Sequence, residues 1–333
     1  MSSSLFPRFK INPETDLIKS RSKGWWLFLK WLILIAAYFF LAYKLLTFNQ
    51  YDELIAKWAQ IPLSHFGWLL LVLILLPANW LLEALKWKKL TSNVQKISIA
   101  TSFKAVLAGI SSGFFTPNRV GELVGRVIFL DGKNRKAGVT LCIVNSLTQN
   151  IIMALCGIPA CIVFFSYSTV KIQVDIAVFL WALVGTLIIF GLLYFALPYI
   201  SKLLSKSKIA PKIISFTSCL SLFNSSDLIL IIAISLLRYF VFCFQFFLML
   251  FFFGIQLEFW QALIAIPASY LFVTFTPSVA FSEAAVRSSY ALIFIGAFSG
   301  QIVGIALAGV CIWLINFVFP MLVGSVMLVK NRG

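Results

Sequence analysis

Long apolar runs alternate with short polar segments along the whole chain. A helix needs about 20 apolar residues to cross a bilayer, and six runs reach that length. The sequence therefore predicts an all-α integral membrane protein with about six full transmembrane helices. These predicted spans are 25–46, 66–85, 137–165, 176–198, 227–253 and 299–328. Continuous apolar runs argue against a membrane β-barrel, which shows short segments of alternating polarity.

Two further apolar segments are interrupted by a proline. The first covers 99–130 and breaks at Pro117, and the second covers 259–296 and breaks at Pro277. Proline removes a backbone donor and disfavours helix in the residue before it. The freed backbone groups must be shielded by protein or face a wet cavity. The sequence therefore predicts two re-entrant helical hairpins, although a protein with eight or more full spans remains an alternative.

The basic residues collect in alternate loops. The net basic segments are 1–24, 86–96, 131–136, 202–212 and 330–332. Cytoplasmic loops carry the excess of Lys and Arg in membrane proteins. We therefore predict a multi-pass protein of the cell (inner) membrane with both termini in the cytoplasm. A basic cytoplasmic segment, 1–24, would precede a single transmembrane domain, 25–330.

The composition agrees with a membrane protein. The 333 residues are 61% hydrophobic and 11% charged, against roughly 25% charged in soluble domains. The net charge of +16 would suggest nucleic acid in a soluble protein. Here the basic residues lie in loops between apolar runs, so we expect no nucleic-acid partner. The expected partners are membrane phospholipids with anionic head groups, which attract such loops.

The two interrupted segments carry the same series of residues. Each has Phe-Thr-Pro, then an acid, then an Arg four residues after the acid. The series are Phe115-Thr116-Pro117 with Glu122 and Arg126, and Phe275-Thr276-Pro277 with Glu283 and Arg287. The loop charges place the first hairpin's opening inside and the second's outside. This predicts an inverted repeat, about 66–165 and 227–328, which is typical of secondary transporters with a mid-membrane site.

Ionisable groups at membrane depth are costly and mark candidate functional sites. The candidates for substrate binding or translocation are Pro117, Arg119, Glu122, Arg126, Arg238, Pro277, Glu283 and Arg287. In each pair the Glu and the Arg are one helical turn apart and can form a salt bridge with each other. The alternative is that these salt bridges only hold each hairpin closed and have no role in transport. The helix N-terminus after each break suits an anion.

Arg119 has no partner at helical spacing except Glu122, and its planar guanidinium matches phosphate oxygens. It is therefore the candidate phosphate ligand. Arg238 lies within a predicted span, where snorkelling or pairing with a neighbouring helix is the alternative role. The polar residues Asn145, Gln149, Asn150 and Asn316 are expected mainly to bond neighbouring helices.

No metal, cofactor or catalytic centre is expected from the sequence. The six cysteines form no CxxC pair, and His65 is the one histidine. Zinc sites and metallohydrolase motifs need several such residues at fixed spacing. We therefore expect a protein that is not an enzyme.

The segment Pro117-Asn118-Arg119-Val120-Gly121-Glu122-Leu123 resembles the Pro-Gly-Arg-x-Gly-Glu turn of the lysylphosphatidylglycerol synthase transmembrane family, also called flippase-like. The second segment, Pro277 to Arg287, resembles that family's Pro-Gly-Gly-x-Gly-x-x-Glu-Ala stretch through Glu283-Ala284-Ala285. Ser278, Val279 and Phe281 stand where the family favours Gly. The resemblance covers roughly 25–330.

This resemblance implies a lipid flippase that moves aminoacylated or other lipids between leaflets. Some relatives carry a soluble aminoacyl-transferase domain, and this sequence ends at Gly333. A separate lipid-modifying enzyme is therefore an expected partner. The alternatives are a transporter of another anionic or polyprenyl-linked substrate and a non-catalytic membrane partner of a cell-envelope enzyme. A homo-oligomer is left open.

Overall fold

The computed structural model describes most of the chain after residue 60. The described residues are 61–114, 116, 119–167, 176–206, 211–278 and 280–330, with Leu32, Ile35 and Phe39 before them. They form helices and connecting turns, with no strand among them. Leu32, Ile35 and Phe39 are helical and exposed. The predicted segment 1–24 and the other residues of the first predicted span, 25–46, lie outside the described residues.

Eleven α-helices follow in the described part of the chain. They are α1 (Phe66–Thr91), α2 (Ile99–Phe114), α3 (Gly121–Val127), α4 (Arg135–Tyr167), α5 (Ile176–Lys206), α6 (Pro211–Thr217), α7 (Ser225–Phe252), α8 (Phe259–Phe275), α9 (Ala280–Phe294), α10 (Ile302–Trp313) and α11 (Phe319–Lys330). A π turn, Leu314–Val318, joins α10 to α11 in one continuous helix.

Five helical segments are long and apolar enough to cross a membrane. They are Leu63–Thr91, Gly132–Ser166, Leu183–Lys206, Ser225–Phe252 and Ile302–Val329. These segments coincide with the five predicted spans that fall on described residues. Large apolar side chains on the long helices are exposed, for example Leu192 at 67% and Ile189 at 59%. Such a surface suits lipid rather than water.

Four of the shorter helices, α2, α3, α8 and α9, form two helical hairpins. α3 folds back on α2, and α9 folds back on α8. In the first hairpin a methyl group at Gly121 would lie 2.2 Å from the carbonyl oxygen of Ser112, so only glycine permits this approach. In the second, the hydroxyls of Thr276 and Tyr290 are 2.9 Å apart. Most residues of α2 are buried, so the long helices enclose it.

The helix formed by α10 and α11 contacts both hairpins. Its first half, α10, packs against α9, and its second half, α11, packs against α2. Pro320 lies just after the π turn and has no N–H for the carbonyl of Asn316, which loosens the regular helical ladder there. Short π segments are frequent at functional sites.

Gly324 of α11 sits against the backbone of α2. A methyl group at this position would lie 1.9 Å from the carbonyl oxygen of Leu107. Small residues at such interfaces let membrane helices approach closely. The contact fixes the distance between α11 and the first hairpin.

We predict that Gly324→Ala lowers the stability of the purified protein by about 1–3 kcal/mol, the usual cost of overpacking. Gly191→Ala is the matched control, because nothing lies within 4 Å of a methyl group there. Thermal unfolding in mild detergent measures both variants. A Gly324→Ala protein as stable as wild type would contradict the close approach of α11 and α2.

Candidate functional site

A cavity of about 700 Å³ lies between the two hairpins and the long helices. It is lined by four arginines and three glutamates, among apolar and neutral polar side chains. The charged lining residues are Glu83, Arg119, Glu122, Arg126, Arg238, Glu283 and Arg287. Charged groups are rare inside membrane proteins and mark functional sites. This cavity is therefore the candidate site.

Glu83, on α1, is the centre of the first group of charges. Its carboxylate lies 2.7 Å from Arg126 Nη2, 2.9 Å from Arg238 Nη1 and 3.1 Å from Lys86 Nζ. Asn145 Nδ2 also donates to it, at 2.8 Å. We call these five residues the Glu83 cluster. The side chains of Glu83 and Lys86 are 2% and 0% exposed, so the carboxylate is what makes the burial of three cations tolerable.

Arg238, on α7, is held by further contacts from two other helices and from its own. Its Nε donates to Asn79 Oδ1 at 2.8 Å, and its Nη1 donates to Gln149 Oε1 at 3.5 Å. Its guanidinium lies 5.0 Å from the ring centre of Phe242, a cation–π distance. Arg238 therefore pairs with neighbouring helices, as the alternative role predicted. Gln149 and Asn145 also bond neighbouring helices.

Glu283, on α9, is the centre of the second group. Arg119 Nη2 donates to both of its oxygens, at 2.7 and 2.8 Å. Arg287 Nη2 donates to Oε1 at 2.9 Å. Both guanidinium groups lie over the ring of Phe317, at 3.9 Å for Arg119 and 4.5 Å for Arg287. We call these four residues the Glu283 cluster. Its Arg119–Glu283 pair connects the first hairpin to the second.

Glu122 connects the two clusters. Its carboxylate lies 3.1 Å from Arg126 Nη2 and 4.0 Å from Arg119 Nη1. Both Glu–Arg pairs that the helical spacing allowed are present, Glu122–Arg126 and Glu283–Arg287. At helical spacing Glu122 is the partner of Arg119, as expected, but the shortest contact of Arg119 comes from Glu283 of the other hairpin.

Arg119 has an unusual backbone conformation. Its φ is +58°, a left-handed value that costs a residue with a side chain of order 1–3 kcal/mol. The surrounding turn maintains it: Thr116 Oγ1 donates to the carbonyl of Gly113 at 2.9 Å and accepts from the N–H of Gly121 at 2.8 Å. The N–H of Gly121 at the start of α3 therefore already has a partner.

All predicted candidates that the structure describes line this cavity. Pro277 lies on its wall with the charged residues, whereas Pro117 is outside the described residues. The cavity thus brings together groups more than a hundred residues apart in the sequence.

Sequence reasoning missed Glu83, Lys86 and Phe317. Lys86 was assigned to a cytoplasmic loop, but α1 continues to Thr91 and buries it. The physical reason is that Glu83, one turn earlier, pairs with its ammonium group at 3.1 Å. The available signal was an acid near the end of an apolar run, three residues before a lysine. Phe317 gave no signal, because it is one aromatic residue among many.

Among the described residues, no group of three or more His, Cys, Asp or Glu side chains is placed to hold a metal ion. His65 lies at the start of α1, where its Nδ1 is 3.2 Å from the carbonyl oxygen of Phe252.

Together, the fold and the cavity define a polytopic helical membrane protein with a charged internal site. The model of the lysylphosphatidylglycerol synthase TM region family matches residues 27–324. The chain therefore belongs to this family, which confirms the resemblance noted in the sequence. No curated protein and no solved structure matches the chain significantly.

We predict that Glu83→Gln destabilises the protein by about 3–5 kcal/mol, because removing the one carboxylate leaves three buried cations without it. Asp131→Asn is the matched control, since Asp131 is exposed at the end of the first hairpin. Thermal unfolding in detergent compares the two variants. Equal, small losses would show that the Glu83 cluster contributes little to the fold.

Proposed function

We propose that this protein is a lipid flippase, which moves a phospholipid between the two leaflets through the charged cavity. The observation that carries the proposal is a cavity with four guanidinium groups inside a helical bundle whose exterior is apolar. A guanidinium binds two phosphate oxygens at once. Every phospholipid head group offers such oxygens.

The size of the cavity supports a head group as the occupant. Its volume of about 700 Å³ lies within the range of small-molecule sites, roughly 300–1,000 Å³. The acyl chains would remain in the surrounding bilayer, against the exposed apolar side chains. The proposal takes the chain as a transporter rather than an enzyme, with phospholipids as its partners and a lipid-modifying enzyme as a separate protein.

The proposal includes re-entrant hairpins. At about 1.5 Å per residue, the 16 residues of α2 and the 17 of α8 are too short to cross a hydrocarbon core of roughly 30 Å. The loop charges favour hairpins that enter from opposite sides of the cell membrane, as an inverted repeat, with both termini in the cytoplasm. The contact between Arg119 and Glu283 fits hairpins whose tips meet at one depth.

The contacts of Glu283 suggest how the cavity could open and close during lipid transport. It holds Arg119 and Arg287 together, so a phosphate can replace it on Arg119 while Glu283 keeps Arg287. Loss of the Arg119–Glu283 pair would free the first hairpin from the second and open the cavity. Release of the lipid would restore the pair. A lipid drives such a change only because it binds the open state better.

The test is lipid movement in proteoliposomes that contain a fluorescent phospholipid and a membrane-impermeant quencher. We predict that Arg119→Ala combined with Glu122→Ala lowers the rate at least about tenfold, since a charge-assisted hydrogen bond contributes roughly 1.5–3 kcal/mol. Lys104→Ala, an exposed change on α2, should leave the rate unchanged.

Folded variants are first selected by a single symmetric gel-filtration peak and an unfolding temperature near that of wild type. A double variant that passes this selection and moves lipid at the wild-type rate would remove Arg119 and Glu122 from the mechanism. A wild-type protein that moves no phospholipid of any head-group class would contradict the proposed function itself.

A further inference from the structure

The cavity carries more positive than negative charge. Four arginines and three glutamates line it, and buried Lys86 bonds to Glu83 as well. The remaining acids of the described residues lie elsewhere. Asp131 is exposed, Asp227 pairs with Lys89 at 2.6 Å, and Glu258 bonds to Trp260. Two positive charges around the cavity are therefore uncompensated by any described carboxylate.

Hydrogen-bond donors are in excess as well. Among the lining residues that the structure describes, three buried donor atoms have no partner: Trp80 Nε1, Arg126 Nη1 and Gln149 Nε2. Two acceptor atoms of lining residues also have no hydrogen-bond partner, Asn145 Oδ1 and Glu83 Oε2, but Glu83 Oε2 already lies 2.9 Å from Arg238 Nη1 and 3.1 Å from Lys86 Nζ. A buried donor without an acceptor costs about 1–3 kcal/mol. The cavity therefore favours an occupant that brings acceptors and few donors.

Two of these donors belong to the surroundings of Glu83. Arg126 contacts Glu83 through Nη2, at 2.7 Å, and its Nη1 has no acceptor. Gln149 accepts from Arg238 through Oε1, so its Nε2 is the end of the amide that remains available. The side chain of Arg126 is 4% exposed. Charge and free donors thus coincide around Glu83.

We propose that the part of the cavity around Glu83 is a phosphate subsite selective for head groups that are net anionic. It is occupied while the Arg119–Glu283 pair is intact, and the phosphate moves to Arg119 when that pair opens. The inference rests on the proposed function, and it names the substrate class. A phosphate supplies both the negative charge and the acceptors that Arg126 and Gln149 lack. An ammonium group would instead need carboxylates, and all three lining carboxylates are already bonded to arginine or lysine.

This selectivity predicts that lysylphosphatidylglycerol, the lipid in the family's name, is a poor substrate of this chain. Lysylphosphatidylglycerol carries ammonium groups in addition to its phosphate, so its head group is not net anionic. The charge of the cavity disfavours it. Zwitterionic phosphatidylethanolamine is disfavoured for the same reason, whereas phosphatidylglycerol meets both requirements.

The first experiment measures the unfolding temperature of the detergent-purified protein with short-chain phosphatidylglycerol, phosphatidylethanolamine or lysylphosphatidylglycerol. At a given concentration, a ligand that binds the folded state raises this temperature more when its Kd is lower. We expect phosphatidylglycerol to act at a concentration at least about tenfold lower than the other two. The inference would be overturned if all three lipids raised the unfolding temperature at the same concentration, or if either amine-bearing lipid did so at a lower concentration than phosphatidylglycerol.

A second arm identifies the source of the phosphate. Glycerol 3-phosphate carries the same anion without acyl chains, and we expect it to act only at much higher concentration than phosphatidylglycerol. If it acts at the same concentration, the anion subsite stands and a soluble anion replaces lipid as the substrate, which contradicts the proposed function. Transport of all three lipids at one rate in proteoliposomes would leave the flippase standing and overturn the selectivity.

The variant Gln149→Glu tests the subsite directly. It keeps an acceptor for Arg238, so the fold is retained, but it replaces the free donor by a negative charge. We expect at least about tenfold weaker stabilisation by phosphatidylglycerol. Gln256→Glu adds the same charge at an exposed position and should behave as wild type.

Gln149→Leu provides a second variant, which removes the donor without adding charge. We expect an intermediate loss from it. Stabilisation equal to wild type in both Gln149 variants would overturn the assignment of the subsite to this residue.

Discussion

The buried carboxylate of Glu83 is the constraint on which the rest of the structure depends. Three cations from three helices converge on it, at 2.7 to 3.1 Å. In a low-dielectric interior these cations are tolerated only with a negative partner. Because Arg126 belongs to the first hairpin and Arg238 to α7, this one carboxylate fixes where both elements lie relative to α1. The cavity exists between them because the charges hold its walls in place.

The fold was predictable to the extent that it follows from apolar length and loop charge. The described spans begin within a few residues of the predicted positions, because the first apolar residue after a polar segment marks entry into the bilayer. Their ends were less predictable. α1 continues to Thr91 and α5 to Lys206, since a basic terminal turn can remain helical while its side chains reach polar surroundings.

The site was predictable in its parts but not in its pairing. The repeated order of Thr-Pro, acid and arginine identified Glu122, Arg126, Glu283 and Arg287, because helical spacing is a local property. The pair between Arg119 and Glu283 joins residues 164 positions apart, and no local pattern encodes it. Lys86 was misassigned for a related reason: a loop lysine and a neutralised buried lysine look alike until the partner's position is known.

The π turn at Leu314–Val318 affects how α10 and α11 contact the two hairpins. It adds one residue to a turn, so the packing face of α11 is rotated relative to that of α10, by about 100° for each residue of register. One continuous helix can therefore pack against the second hairpin through α10 and against the first hairpin through α11. Removing a single residue from this turn would rotate Gly324 of α11 away from α2, and the helix could no longer contact both hairpins at once.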